Sequence, residues 1–167
     1  MEFEKKNSLV IGIISDTHGL LRSEAIQKLM GVQWLIHAGD IGNADILNRL
    51  RSIAPLYAVR GNIDRGEWAQ SLPASLEVEL AGIKLLVLHT VQDLDIDPVT
   101  AGYQVVVSGH SHRPSTERRE GVLFINPGSA GPRRFYLPVT LAKLTIDGNH
   151  LDAQIIDLLS EPNPSEQ

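Results

Sequence analysis

Three apolar runs set at βαβ spacing constrain this chain more than any other feature. Residues 8–14, 33–37 and 55–59 read as strands, and the first is apolar on both faces, as a fully buried strand is. Between them lie two helix-length segments. One covers about 23–30 with Ser23 as its N-cap, and the other opens at Asn43 or Ala44 and runs to about Ser52. Strand–turn–helix units of this length give parallel strands flanked by helices, an α/β class. After Leu72-Pro73 the rhythm changes to hairpins. Residues 75–80 and 83–88 flank Ala81-Gly82, and 139–146 and 151–158 flank Asp147-Gly148-Asn149. A short helical or turn segment at 95–101, a strand at 103–107 and two shorter strands near 115–119 and 122–125 complete the reading. Apolar residues on both faces of 83–88 place that strand inside a sandwich. Residues 1–159 form a single domain, and 160–167, with two prolines and no apolar side chain, read as a disordered tail.

Composition narrows the class. The chain has no apolar run near the ~18 residues of a membrane span, and its first eight residues hold no signal-peptide core. Without cysteine there is neither a disulfide framework nor a thiolate ligand, and a cytoplasmic location is the expectation. A net charge of −5 argues against a general nucleic-acid binder.

Five apolar runs end in polar residues, in series: Asp16 and His18; Asp40; Asn62 and Asp64; His89; His110 and His112. Strands of an open α/β sheet present their C-terminal ends along one rim, where such sheets bind ligands. His110 and His112, past the strand end on a turn loosened by Gly109, can converge on one point. Carboxylates, an amide and imidazoles without thiolate suit Mn²⁺ foremost, with Fe, Zn²⁺, Ni²⁺ or Co²⁺ also served. The donors exceed the needs of one ion, whereas two ions sharing a carboxylate use them all, the usual device for phosphoester displacement. Two divalent ions, less Asp16, Asp40 and a bridging hydroxide, leave about one positive charge to attract a phosphate.

Other polar residues have plainer readings. His37 packs behind the rim, and His150 is solvated in the last hairpin. Asp64 orients a neighbour rather than ligating. Asp45, Asp93, Asp95 and Asp97 are helix-start or loop carboxylates, and Arg60, Arg65 and the Arg133-Arg134 pair are rim or surface charges. Arg113 is either a surface charge or a phosphate contact. Asn126-Pro127-Gly128-Ser129 is either a tight turn or a lining of the substrate mouth, through Gly128 and Ser129.

Asp16-x-His18, Gly39-Asp40, Gly61-Asn62-x-Asp64, His89 and Gly109-His110-x-His112, in this order, resemble the calcineurin-like metallophosphoesterases. The length and the closing Asn126-Pro127-Gly128-Ser129 look most like the small YfcE-type phosphodiesterases. The resemblance implies a four-layer α/β-β/α sandwich with a parallel first half and a hairpin-rich second half. It implies one metal on Asp16, His18, Asp40 and His112, and another on Asp40, Asn62, His89 and His110, with Asp40 bridging. Asp40, Asn62 and His89 would then serve catalysis, with metal-held hydroxide attacking phosphorus in line. A small phosphodiester is the implied substrate, and a homodimer or homotetramer the implied assembly. Two departures stand out: Thr90-Val91 follows His89 where the family often has Gly-His, and Ile63 stands where many members carry a proton-donating histidine. Two other readings compete, a nuclease of the same fold and a non-catalytic scaffold like the retromer subunit. Ile63 and the acidic balance oppose the first, and the filled metal positions oppose the second.

Overall fold

Strands that are apolar on one or both faces produce two sheets that share one core. The computed structural model describes residues 8–160. The readings of a signal-free start at 1–8 and a disordered tail at 160–167 lie outside the described residues except at Ser8 and at Ser160, whose N–H donates to Asp157 Oδ1 at 3.0 Å. The described elements are β1 (Leu9–Ile14), α1 (Ser23–Leu29), β2 (Trp34–His37), α2 (Ala44–Arg51), β3 (Leu56–Ala58) and α3 (Glu67–Gln70). They continue with β4 (Ser75–Leu80), β5 (Ile83–Leu88), β6 (Val105–Val107), β7 (Ser115–Arg119), β8 (Val122–Asn126), β9 (Thr140–Asp147) and β10 (His150–Asp157).

The first sheet has the order β10-β9-β1-β2-β3 and the second β4-β5-β6-β8-β7. Ile11 and Ile13 of β1 face Leu85 and Val87 of β5, Val105 and Val107 of β6 and Ile125 of β8 across the gap between the sheets. Val10 and Ile14, on the other face of β1, meet Ala25 and Leu29 of α1 and Ile46 and Leu50 of α2. The outer face of the second sheet, with Leu86, Leu88, Val106 and Val122, is covered by Tyr103 and Leu94. That outermost layer is the irregular segment 91–103, whose regular element is a 3-10 turn at Val91–Asp93. Each fully buried Ile or Leu of these layers contributes about 1.5–3 kcal/mol relative to exposure.

Several local expectations change. The N-cap of α1 is Arg22, in extended conformation and without a side-chain capping bond, so Ser23 is the first helical residue rather than the cap. Asn43 does cap α2, its side chain accepting from Ile46 N at 3.2 Å. The short helix α3 enters through Gly66 at φ 100°. The second half is more than hairpins, because β5, β6 and β8 run parallel to one another. The last hairpin joins the first sheet, with β9 antiparallel beside β1.

Candidate metal centre

The parallel strands β1, β2 and β3 end together, and so do β5, β6 and β8, so six loops meet on one rim. Backbone bonds lace these loops together. Asp16 N donates to Gly39 O (3.0 Å), His18 N to Asp40 O (2.9 Å), Gly19 N to Ile41 O (2.8 Å) and Gly109 N to His89 O (2.9 Å). Within this lacing Asp16, His18, Asp40, His110 and His112 hold left-handed backbone conformations, with φ of 55°, 46°, 54°, 72° and 61°. Such a conformation costs an L-residue about 1–2 kcal/mol, and Asp and His are among the types that tolerate it. It persists where surrounding bonds overdetermine it, as at functional sites.

Two side-chain groups result. Asp16, His18 and His112 form one, and Asp40, His89 and His110 the other; within each, one ligand atom per residue lies within 4.8 Å of the others. Asp16 Oδ1 faces three imidazoles, at 3.4 Å from His112 Nε2, 3.7 Å from His18 Nε2 and 3.9 Å from His89 Nε2. Asp40 Oδ2 stands between the groups, 3.6 Å from His18 Nε2 and 3.3 Å from His89 Nε2. Ligands bound to one ion at 2.0–2.2 Å stand about 3.0–3.4 Å apart, so these spacings are near those of a shared coordination sphere. Asp16 Oδ1, His18 Nε2, His89 Nε2 and His112 Nδ1 are buried without a hydrogen-bond partner. Four orphaned polar atoms in one place are costly unless something else satisfies them, and divalent ions fit this donor set.

The remaining atoms of these side chains are fixed by hydrogen bonds. His89 Nδ1–H donates to the Ala38 carbonyl (2.7 Å), which turns the Nε2 lone pair toward Asp40. Asp16 Oδ2 accepts from Ser15 Oγ (2.7 Å) and His110 N (3.1 Å), and Asp40 Oδ1 accepts from Ile63 N (3.1 Å). Burial pushes the Asp16 carboxyl up, but His112, His18 and Ser15 together hold it far below the usual carboxylate range. Burial likewise opposes ionisation of Asp40, and the bonds from His89 and Ile63 outweigh it, lowering its pKa. His89 is raised because Asp40 and the Ala38 carbonyl overcome its burial. The carboxylates are therefore ionised ligands in waiting. Close packing enforces the geometry at Gly109, where a Cβ would overlap Ser15 Oγ and lie 2.7 Å from Asp16 Oδ2.

His37 is fully buried and bonded at both nitrogens. Gly39 N donates to Nδ1 (3.1 Å), so Nε2 carries the hydrogen and donates to Thr17 Oγ1 (3.0 Å), which donates in turn to Ile41 O (2.8 Å). Burial pushes its pKa down to about 4. It is a neutral strut behind the rim, as its place in the sequence implies. Asp64 orients backbone, not an imidazole: it accepts from Ile41 N (2.9 Å), Gly42 N (3.0 Å) and Gly61 N (2.8 Å), tying the loop after β2 to the loop after β3.

The proposed substrate contacts divide. Ser129 is buried and its hydroxyl donates to the Asp16 carbonyl (3.0 Å), while Gly128 N donates to Asn126 Oδ1 (2.9 Å). Ser129 thereby ties its turn to the Asp16 loop, whereas the Gly128 bond stays within the turn itself. Arg113 is exposed and lines a cavity of about 330 Å³ on the outer face of the second sheet. Asn62 is exposed and shares with His89 a second cavity, of about 350 Å³, that opens beside the centre. Ser15 and Thr17, which flank Asp16, escaped the sequence reading; their hydroxyl chemistry at a strand end was the available signal.

An α/β sandwich with a carboxylate–imidazole centre suited to divalent ions is the class these observations define. The sequence model of the calcineurin-like phosphoesterase superfamily domain matches residues 9–149. A probable metallophosphoesterase of Methanothermobacter thermautotrophicus is 34% identical over 160 residues, covering 89% of this chain and 92% of that protein. Phosphodiesterase YfcE of Escherichia coli strain K12 is 30% identical over 145 residues, covering 69% and 76%. The solved structure of Vacuolar Protein Sorting 29 from Cryptosporidium parvum has a TM-score of 0.78 over 90% of this chain and 91% of that one. At 20% identity it is a likeness of fold alone. The chain belongs to the calcineurin-like phosphoesterase superfamily, and with it to the metal-dependent phosphoesterases.

Proposed function

We propose that this chain is a two-metal phosphodiesterase, with Asp16, His18, Asp40 and His112 on one ion and Asp40, Asn62, His89 and His110 on the other. The observation that carries the reading is the position of Asp40 Oδ2 between His18 and His89, one from each side-chain group. Bound divalent ions, Mn²⁺ foremost, would supply the positive charge and the activation of water that displacement at phosphorus requires. The chain's own residues do the rest. Asp16 and Asp40 enter as ionised carboxylates, and His89 presents Nε2 because Ala38 holds Nδ1. Left-handed backbone at Asp16, His18, Asp40, His110 and His112 keeps them aimed before anything binds, which limits reorganisation during reaction.

A small diester fits better than a nucleic acid, given the acidic balance of the chain. The filled ligand positions favour an enzyme over a scaffold. The cysteine-free sequence supports a cytoplasmic location as part of this reading. Among the described residues no helix is long and apolar enough to cross a membrane. Self-association into a dimer or tetramer belongs to the same reading, supported by Phe135 and Tyr136 at 90% and 96% exposure. The test is hydrolysis of bis(p-nitrophenyl) phosphate by protein stripped with chelator and then reloaded with Mn²⁺. Turnover restored with about two ions per chain supports the proposal. Equal turnover with and without metal refutes it.

A further inference from the structure

Resting on that reading, we infer that the cavity beside His89 holds one arm of the phosphodiester and selects an arm bearing a donor group, an ammonium foremost. The cavity, about 350 Å³, is of the size that takes a small organic group. Its inner wall is His89, 5% exposed, whose Nε2 has no hydrogen-bond partner and faces the centre. Asn62, Thr90 and Leu88 continue the wall, so whatever enters lies directly beside a phosphate held at the rim.

The same lining includes Asp93 and Asp95. Both are exposed, and neither carboxylate has a hydrogen bond or ion pair among the described residues. Asp97, the next carboxylate along, is spent on Val99 N and Thr100 Oγ1 and takes no part. The cation of the cavity, Arg60, directs Nη1 to the Leu72 carbonyl at 2.7 Å. That bond leaves the guanidinium charged, and two carboxylates against one cation still make the lining acidic on balance. A second phosphate or a carboxylate on the arm would meet repulsion there, whereas an ammonium would find one or both aspartates. With a metal-loaded centre adjoining it and a net acidic lining, the cavity would match a zwitterion: a phosphate with an amino group a few bonds away.

The Asp93 and Asp95 carboxylates keep contact with water, so the preference they give is moderate, about two- to fivefold per substrate pair. One experiment compares p-nitrophenyl phosphodiesters that share their leaving group and differ in the second arm: 2-aminoethyl, ethyl and 2-carboxyethyl. The Mn²⁺-loaded enzyme should prefer them in that order in kcat/KM, through KM. In Asp93→Asn/Asp95→Asn the aminoethyl-to-ethyl ratio should fall toward one. A second measurement needs no turnover: calorimetric binding of 2-aminoethylphosphonate against propylphosphonate, whose P–C bonds stay intact. Tighter binding of the amino compound, lost in the double variant, supports the inference. A ratio of one in the wild type, or a preference that survives in the double variant, overturns it. Hydrolysis of none of the diesters would sink the phosphodiesterase reading instead, and the calorimetry would still decide the arm.

Discussion

Gly61 packs so closely against Asp40 that a Cβ on it would overlap the Asp40 carboxylate oxygen Oδ1 and backbone nitrogen. The loop after β3 thus serves as the floor on which the Asp40 carboxylate rests. In Gly61→Ala, one of the two must move, at a cost of about 1–3 kcal/mol if the strain stays local. The expected outcome is a folded protein by circular dichroism with much reduced Mn²⁺ content. Full metal content in that variant would show that the contact is dispensable.

Asp40 and Asn62 should differ in their effect on metal. Asp40→Asn removes charge from a carboxylate within reach of both imidazole groups, so both ions should weaken and turnover should vanish. Asn62→Ala, on the turn beside His89, should chiefly empty one site. Metal analysis of the two purified variants separates them, and two retained ions with full activity in Asp40→Asn would exclude a bridging role.

His37 couples stability to pH. Its pKa in the folded chain lies at about 4 against 6.5 for an unperturbed histidine, because burial disfavours the cation. Between these values the unfolded chain binds a proton that the folded one refuses, so stability falls as pH drops from 6.5 toward 4. Above 6.5 the residue is neutral in both states and this loss is absent. The difference amounts to about 3 kcal/mol across the window. Urea unfolding of metal-free wild type and His37→Asn checks it. The variant should start lower, since Thr17 and Gly39 lose their partner, yet show a pH slope shallower by about one proton. Identical slopes would remove His37 as the cause.

Ile63 bears on the leaving group. Its N–H holds Asp40 Oδ1 and its side chain is 46% exposed, so a replacement there can keep the backbone bond while changing what reaches the solvent side. An alkyl group cannot protonate a departing alkoxide. Aryl phosphodiesters should therefore be good substrates and alkyl monoesters poor ones. Ile63→His should raise rates most on the poor leaving groups, by up to about 10²–10⁴-fold. A leaving-group series on both proteins decides it, and the same steep dependence on leaving-group pKa in each would end the idea.

Strands and ligand candidates were legible because each apolar run stops abruptly at a residue that a sheet interior would reject, such as Asp16 after Ile14 or His89 after Leu88. What was not legible depends on distant partners. Nothing beside Ser129 in the sequence signals that its hydroxyl donates to the Asp16 carbonyl, far away in the chain. The same holds for Asp64, whose three backbone donors come from two loops. Ser23 failed as a cap for a local reason: the chain turns into the helix one residue earlier, at Arg22. The parallel set β5-β6-β8 was hidden because short strands joined by irregular segments carry no helical crossover to announce them.

The first strand of the chain sits in the middle of its sheet, with β2 on one side and β9 on the other. A ribosome therefore releases β1 long before the strand that completes its pairing exists. Until β9 arrives, Ile11 and Ile13 border an open, apolar edge of the kind that invites intermolecular pairing. The last hairpin thus acts as a late closing step, slow in the manner of contacts between distant residues. Ser129, whose hydroxyl reaches the Asp16 loop, is made only shortly before it, so the rim acquires its final shape after every ligand-bearing loop has already been made.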